Sequence, residues 1–152
     1  MARFIGNIEA KVDAKGRIFI PATFRKQVGE ENIVLCKDVF QDCLTLTLET
    51  VWNAELDELR SRLNKWNSLH QAVFRQFVSD VEVLTPDSNG RILIPRRYLQ
   101  RCGIESEVRF IGVDCKIELW AKERTETPFL SPTDFGRALQ EIMNTPNETH
   151  ES

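Results

Sequence analysis

VDAKGRIFIPATF (residues 12–24) is followed further along the chain by LTPDSNGRILIPRRY (residues 84–98), and both contain Asp-x-x-Gly-Arg-Ile-x-Ile-Pro. The offset between the copies is constant, so Asp13 corresponds to Asp87 and the later residues of the motif follow in step. An internal repeat this regular predicts two copies of one supersecondary unit that pack against each other.

The Asp-x-x-Gly segment of each copy predicts a tight turn between two strands. An Asp side chain can accept hydrogen bonds from backbone N–H groups two residues ahead, and Gly adopts positive φ at little cost. Because each turn is rigid, the arginine that follows it should be exposed at the hairpin tip in both copies. The predicted turn-forming residues are Asp13, Gly16, Asp87 and Gly90, and the arginines are Arg17 and Arg91.

The flanking patterns predict the same element order in both copies. Alternation from Ile8 to Val12 predicts a strand before the first turn, and Pro21 should open a short helix that ends at Gly29. Helical spacing in the middle of the chain predicts two helices, with Thr50 as a candidate N-cap. The predicted organisation is a first repeat at 1–50, a helical insert at 51–79, a second repeat at 80–122, and an acidic tail at 123–152 with one short helix capped by Ser131 and a frayed end, NTPNETHES.

Composition is that of a globular protein rather than a nucleic-acid coat protein. The 152 residues are 41% hydrophobic and 28% charged, with a formal net charge of −3. The four cysteines form no C-x-x-C pair and there are only two histidines, so we expect reduced thiols and no metal or other cofactor. The opening MARFIGNIEA lacks the apolar core of a signal peptide, and no apolar run is long enough to span a membrane. These features predict a cytoplasmic protein.

Positive charge is concentrated around the repeated turns. The first 29 residues contain six basic and two acidic side chains, and residues 91–101 contain four arginines and no acid. A basic patch on an acidic chain indicates a surface that faces a polyanion. Lysine can meet DNA phosphates, and arginine can also contact guanine through two hydrogen bonds in the major groove. The basic residues are Arg3, Lys11, Lys15, Arg17, Arg25 and Lys26 in the first stretch, and Arg91, Arg96, Arg97 and Arg101 in the second.

The arrangement resembles the MraZ family of bacterial transcriptional regulators, which are built from two AbrB-like (SpoVT-AbrB) modules. The resemblance covers residues 1 to about 143. It rests on Asp-Ala-Lys-Gly-Arg-Ile-Phe-Ile-Pro from Asp13, on Asp-Ser-Asn-Gly-Arg-Ile-Leu-Ile-Pro from Asp87, on the helical insert between them, and on the closing Phe-Ile-Gly-Val and Ile-Glu-Leu-Trp segments. The ordered pair of motifs with the insert is highly specific.

The resemblance implies a mainly β fold with added helices (α+β), in which the two tandem repeats interlock as a pseudo-twofold, swapped-hairpin β-barrel. It also implies homo-oligomeric rings that associate with the nucleoid. These rings would bind short direct repeats in double-stranded DNA, usually as a repressor of the division and cell-wall gene cluster. Carried onto this sequence, Arg17 and Arg91 are the DNA-binding arginines, and Lys15 supports the first. Asn89 stands where the second copy would match Lys15, which favours the first copy. Arg3 and Lys11, from the same basic stretch, are further DNA-binding candidates.

Two rival classes fit the sequence less well. No Ser-His-Asp or Cys-His set is visible, and His70 lies among apolar residues of a predicted helix, so an enzyme is not expected. The acidic tail keeps open an AbrB-like protein-interaction module of the antitoxin type. Trp52 and Trp66, placed on the insert helices, and Trp120, at a strand end, are predicted to pack in the core or at an interface rather than stack on bases.

Overall fold

The computed structural model describes residues 3–146, which form eight strands, five α-helices and one 3-10 turn. The strands are β1 (Phe4–Lys11), β2 (Arg17–Phe19), β3 (Ile33–Lys37), β4 (Leu44–Leu48), β5 (Val81–Leu84), β6 (Arg91–Leu93), β7 (Glu107–Asp114) and β8 (Lys116–Ala121). The helices are α1 (Ala22–Val28), α2 (Glu49–Arg62), α3 (Ser68–Ser79), α4 (Arg96–Arg101) and α5 (Pro132–Asn144), and the 3-10 turn is Lys122–Thr125.

The two repeats exchange strands. Six strands form one antiparallel sheet in the order β1-β7-β8-β4-β3-β5, and β2 pairs with β6 in a separate two-stranded ribbon. When each strand is replaced by its counterpart in the other repeat, the same strand order is obtained, read from the opposite end of the sheet. A pseudo-twofold axis requires this relation. The first strand of each repeat therefore pairs with the third strand of the other, and neither repeat has its full set of partners alone.

The prediction of an α+β fold is confirmed, and the strand pairing of the main sheet is antiparallel. Across residues 3–146 the hydrogen-bonded sheet is open, with β1 and β5 at its two ends. The strand pairing therefore does not by itself close the barrel that the family resemblance implies.

Aromatic packing explains why β1 begins at Phe4, earlier than the strand predicted from Ile8. Phe4 is buried and meets Phe24 of α1 edge-on, with ring centroids 5.6 Å apart. Phe24 in turn meets Phe110 of β7 at 6.4 Å. This cluster joins α1 to the β1–β7 pair, so the extra residues of β1 are fixed by tertiary contacts that alternation within the strand does not reveal.

The polar residues of β4 are buried although their alternation with leucines predicts exposure, because β4 is a central strand of the sheet. Leu44, Leu46 and Leu48 are buried as their pattern predicts, but Thr45 and Thr47 are also buried, at 4% and 2% exposure. The strand lies between β3 and β8, and α2 packs against β4. Burial of Thr45 is compensated because its hydroxyl donates to the Cys36 carbonyl at 3.3 Å.

Helix starts differ by a residue or two from their predicted positions. Pro21 and Pro95 occupy the N-cap with extended ψ angles of 141° and 140°, so α1 and α4 begin one residue after each proline. Helix α2 begins at Glu49 with Leu48 as N-cap, and the predicted cap Thr50 lies inside the helix. The Thr50 N–H instead donates to Glu31 Oε1 at 2.8 Å, which ties the helix start to the loop between α1 and β3.

The insert helices contact each other through an aromatic pair, and α2 also packs on the sheet. Trp52 of α2 stacks on Phe77 of α3, with ring centroids 6.2 Å apart and ring planes 6° apart. Neither helix buries a residue in the core. Placing Trp66 on a helix was wrong, because it lies in the α2–α3 turn and is 86% exposed. In the same connection, His70 Nδ1 accepts a hydrogen bond from the Asn64 N–H at 2.9 Å, a structural role for this histidine.

The tail helix α5 begins as predicted. The Ser131 hydroxyl accepts from the Asp134 N–H at 3.1 Å, which caps the helix. The segment predicted to be frayed extends past the described residues, since residues 147–152 lie outside them. None of the helices described here is long and apolar enough to cross a bilayer.

Candidate nucleic-acid interface

The first repeated turn is held by one carboxylate. Asp13 Oδ1 accepts hydrogen bonds from the N–H groups of Lys15 and Arg17, at 2.9 and 2.8 Å. Its other oxygen, Oδ2, accepts from Arg17 Nε at 2.8 Å. The same side chain therefore shapes the turn and orients the guanidinium beside it, which explains why Asp and Arg are spaced four residues apart.

The second turn reproduces this geometry closely. Asp87 Oδ1 accepts from the N–H groups of Asn89 and Arg91, both at 2.9 Å, and Oδ2 accepts from Arg91 Nε at 2.9 Å. In both turns the pKa of the aspartate lies below its ordinary value of 3.8, chiefly because the backbone N–H of the arginine stabilises the charged carboxylate. Both carboxylates are thus ionised at neutral pH and act inside their own turns rather than as a catalytic pair.

Each turn requires a glycine, but the two glycines have different surroundings. Gly16 has φ +88° and Gly90 has φ +79°. Residues that carry a Cβ atom rarely adopt these backbone conformations. A Cβ on Gly16 would lie 2.7 Å from the Ile94 carbonyl oxygen. A Cβ on Gly90 would lie 2.7 Å from the Arg25 Nε, the end of a flexible side chain. The first turn is therefore built directly against the backbone of the other repeat.

Strand exchange brings the two arginines onto one surface. In the β2–β6 ribbon Arg17 faces Leu93, Ile18 faces Ile92, and Phe19 faces Arg91. The two isoleucines are buried, so the other four side chains share the outward face. The Ile94 N–H donates to the Gly16 carbonyl at 2.9 Å, and the Ile20 N–H donates to the Gly90 carbonyl at 3.0 Å, which ties each end of the ribbon to a turn.

The sequence predicts that both arginines are exposed at the hairpin tips. In the structure each is held in one orientation and is only partly exposed. Their side chains are 36% exposed at Arg17 and 25% exposed at Arg91, because each is paired with its own aspartate. The Arg91 guanidinium also lies over the Phe19 ring, 5.7 Å from its centroid. Within residues 3–146 the terminal Nη groups of both arginines make no hydrogen bond, so each can donate to an incoming acceptor.

A cleft of about 400 Å³ opens beside the first turn and is lined by both repeats. Lys15 comes from the turn, while Arg96 and Gln100 come from α4. In the second repeat the residue that corresponds to Arg25 is Leu99, which is buried. Arg25 itself reaches across to Gly90 and donates to the Ile20 carbonyl from Nη2 at 3.2 Å. The two turns are therefore alike in backbone and different in their flanks.

The remaining candidate cations divide into two groups. Lys15 is exposed in the turn, and Lys11 ends β1 just before it. Neither forms an ion pair with an acidic side chain in the part of the chain that the structure describes. Arg3 lies at the other end of β1, roughly 25 Å away at strand spacing, and pairs with Asp114 at 3.2 Å. Lys15 lines the cleft beside the ribbon, whereas Lys11 lies opposite Glu107 of β7 and Arg3 lies at the far end of β1.

One cluster outside the ribbon places metal-ligand atoms near one another. Asp38, Cys43 and Glu118 bring one such atom each within 4.8 Å. Asp38 Oδ1 already accepts from two backbone N–H groups, and Glu118 Oε1 accepts from the Trp120 indole at 3.0 Å. Burial raises the pKa of the Cys43 thiol and keeps it protonated. These groups are satisfied by the protein itself, so the cluster is a poor cation site.

Two residues of this surface, Phe19 and Leu93, were not singled out by the sequence pattern, and each is 56% exposed on the ribbon face. Arg96 belongs to the basic stretch noted in the sequence, but its position beside the first turn was not predicted. Alternation along the strand places Phe19 on the same face as Arg17, so the sequence could have predicted its exposure beside that arginine. Its pairing with Arg91 is set by strand exchange, which local spacing does not encode.

The chain is similar to a protein family and to named relatives over most of its length. The family model described as "MraZ protein, putative antitoxin-like" matches residues 4–75 and 77–127. A protein of Bacteroides thetaiotaomicron named "Transcriptional regulator MraZ" is 71% identical over 150 residues, covering 97% of this chain and 96% of the relative. Proteins of the same name are 66% identical in Bacteroides fragilis, over 98% of this chain and 96% of the relative, and 36% identical in Lachnoclostridium phytofermentans, over 82% and 85%.

Proposed function

The chain belongs to the MraZ family, and on that premise we propose that it is a sequence-specific DNA-binding transcriptional regulator that inserts its β2–β6 ribbon into the major groove. The observation that carries the proposal is the strand exchange that puts Arg17 and Arg91 on one outward face. A two-stranded ribbon fits the major groove, which is about 12 Å wide. The names of the relatives, transcriptional regulators, support the same class.

The ribbon chemistry supports direct reading of bases. Each arginine donates a hydrogen bond from Nε to the aspartate of its own turn, and its two Nη groups remain available as a pair of donors. Such a pair matches the O6 and N7 acceptors of guanine. Arg17 and Arg91 are diagonal neighbours on the ribbon, a relation in which residues lie roughly 7–8 Å apart. Since successive bases rise by about 3.4 Å, the two arginines can reach guanines about two base pairs apart.

Cations beside the ribbon supply contacts to phosphates. Lys15 and Arg96 line one cleft at the edge of the ribbon, and Lys11 lies close by in sequence. Phosphate contacts hold the protein in register and make affinity depend on salt. Asn89 occupies the position in the second repeat that corresponds to Lys15 in the first. The first turn therefore offers one more cation than the second. We therefore assign the larger share of binding to the first turn.

Assembly into a homo-oligomeric ring, with a closed swapped-hairpin barrel in each subunit, completes the proposal. Apolar side chains on α3 and α5 are left exposed, including Leu69 at 68% and Ile142 at 68%. Helix α5 buries none of its 13 residues, and an isolated helix of that length is marginal in water. Contacts between subunits would cover these faces. Several ribbons on one ring would then bind short direct repeats with a raised effective concentration.

The regulated DNA follows from the family resemblance. We assign the protein to the promoter of the division and cell-wall gene cluster, as a repressor in the cytoplasm that associates with the nucleoid. An alternative class is a protein-interaction module of the antitoxin type. The observation that favours it is α5, whose exposed residues Phe135, Leu139 and Ile142 form an apolar stripe that a partner protein could cover.

Selection of bound fragments from random duplex DNA, at low and at moderate salt, tests the proposal. We expect enriched fragments to carry a short motif as spaced direct repeats, and affinity to fall steeply as salt rises. A protein-interaction module with no DNA function would enrich no motif at either salt, and that result would refute the proposal.

A further inference from the structure

The outward face of the β2–β6 ribbon has apolar as well as basic side chains. Phe19 and Leu93 are each 56% exposed, although their strand neighbours Ile18 and Ile92 are 1% exposed. The register puts Phe19 opposite Arg91 and Leu93 opposite Arg17. The face is therefore a square of four side chains, with the two arginines on one diagonal and the two apolar residues on the other.

The arginines decide what can cover this face. A second copy of the same ribbon would bring guanidinium groups against guanidinium groups and would bury donors without acceptors. Cations without an acidic partner in residues 3–146, Lys15 and Arg96, line the cleft beside it. A polyanion that also offers acceptors and apolar groups fits better, and the major groove of DNA offers all three.

The apolar group that the major groove presents is the C5-methyl of thymine. Building on the proposed function, we propose that Phe19 and Leu93 contact thymine methyl groups and so add a thymine requirement to the guanines read by the arginines. Each apolar side chain lies beside one arginine and opposite the other, so the thymines fall within about two base pairs of the guanines. Phe19 also supports the Arg91 guanidinium from below.

The two apolar positions are not equivalent. Phe19 offers a flat ring that is partly covered by Arg91, at 5.7 Å, whereas Leu93 is smaller and faces Arg17. Substitution of Leu93 leaves the contact between Arg91 and Phe19 in place, so it tests methyl recognition more directly than substitution of Phe19. Substitution of Phe19 also loosens an arginine, and Phe19→Leu separates these effects because it keeps an apolar group without a ring.

Replacing thymine by uracil, one position at a time, in a duplex obtained by selection provides the test. This exchange removes the methyl group and leaves base pairing intact. We expect the parent protein to lose about three- to five-fold in affinity at each contacted position, the value of about one buried methyl group. Leu93→Ala and Phe19→Ala should each bind the thymine and uracil duplexes equally at one such position, while Phe19→Leu keeps part of the difference. Melting curves of the variants should match the parent, because both side chains are exposed.

Three results would overturn the inference, and they are distinguishable. If the parent binds selected DNA tightly but every uracil substitution is neutral, the ribbon reads DNA without methyl contacts and the proposed function stands. If the parent selects no DNA motif at all, the proposed function fails with it. If Leu93→Ala and Phe19→Ala keep the full uracil effect and instead change the oligomeric state, the apolar diagonal is a subunit contact and the inference is also overturned.

Discussion

Substitution of the two turn glycines by alanine should have unequal effects. Both residues have positive φ, which costs alanine about 1–2 kcal/mol. At Gly16 the new Cβ would also meet the Ile94 carbonyl oxygen at 2.7 Å. That carbonyl is backbone, so the ribbon itself must shift, at an added cost of about 1–3 kcal/mol. At Gly90 the Cβ would meet Arg25, whose side chain can swing away.

We therefore expect a loss of about 2–5 kcal/mol in the free energy of unfolding for Gly16→Ala and about 1–2 kcal/mol for Gly90→Ala. In a chain of 152 residues, each kcal/mol corresponds to about 2–4 °C in Tm. Thermal and urea unfolding followed by circular dichroism would measure both. Gly136→Ala is the matched control, because no atom lies within 4 Å of its Cβ position and it lies in a helix, so stability should stay unchanged or rise.

A double substitution separates the two causes. Adding Arg25→Ala to Gly90→Ala removes the side chain that the new Cβ would meet. Because that side chain can already swing away, the cost of Gly90→Ala should be nearly the same with and without Arg25. The reasoning is refuted if Gly16→Ala is no more destabilising than Gly90→Ala, or if Arg25→Ala relieves most of the cost at Gly90.

Three further predictions concern pH, salt and assembly. Because hydrogen bonds lower the pKa of Asp13 and Asp87 below 3.8 in the folded state, their stabilisation is complete above that value and is lost as pH falls below it. Melting curves of the parent should thus decline more steeply below about pH 4 than those of an Asp13→Asn, Asp87→Asn double variant. Arg96→Ala should lower DNA affinity and reduce the slope of log affinity against log salt by about one, measured by anisotropy titration; an unchanged slope would remove Arg96 from the interface. Leu139→Ser with Ile142→Ser should shift the particle mass measured by light scattering towards the monomer while the melting of the sheet stays unchanged.

Local features of this fold could be predicted from its sequence. The turns follow from Asp13 and Gly16 with their counterparts, because their hydrogen bonds involve only residues two to four apart. Helix positions also followed from spacing, apart from the helix starts and Trp66. Proline took the N-cap at Pro21 and Pro95, Leu48 instead of Thr50 capped α2, and Trp66 lies in a turn.

Long-range features could not be obtained from spacing in the same way. The pairing of Phe19 with Arg91 depends on which repeat supplies the partner strand, and no local pattern carries that information. Burial of Thr45 depends on β4 being central in the sheet. The ion pair between Asp13 and Arg17 could have been predicted from the sequence, because the carboxylate that forms the turn belongs to a residue only four positions before the arginine.

Affinity of a selected duplex for the parent, Arg17→Ala, Arg91→Ala and the double variant, at two salt concentrations, tests the role of the ribbon most directly. Arg62→Ala is a matched control, because Arg62 also forms an ion pair with an acid four residues away, on α2. We expect Arg17→Ala to lose about 1–3 kcal/mol, roughly five- to 150-fold, Arg91→Ala to lose less, and the double variant to lose sequence preference. All variants should melt close to the parent, since partly exposed ion pairs contribute little to stability. Binding by the double variant as tight as that of the parent at both salts would show that the ribbon is not the DNA surface, and failure of Arg17→Ala to fold would make Arg17 a structural residue.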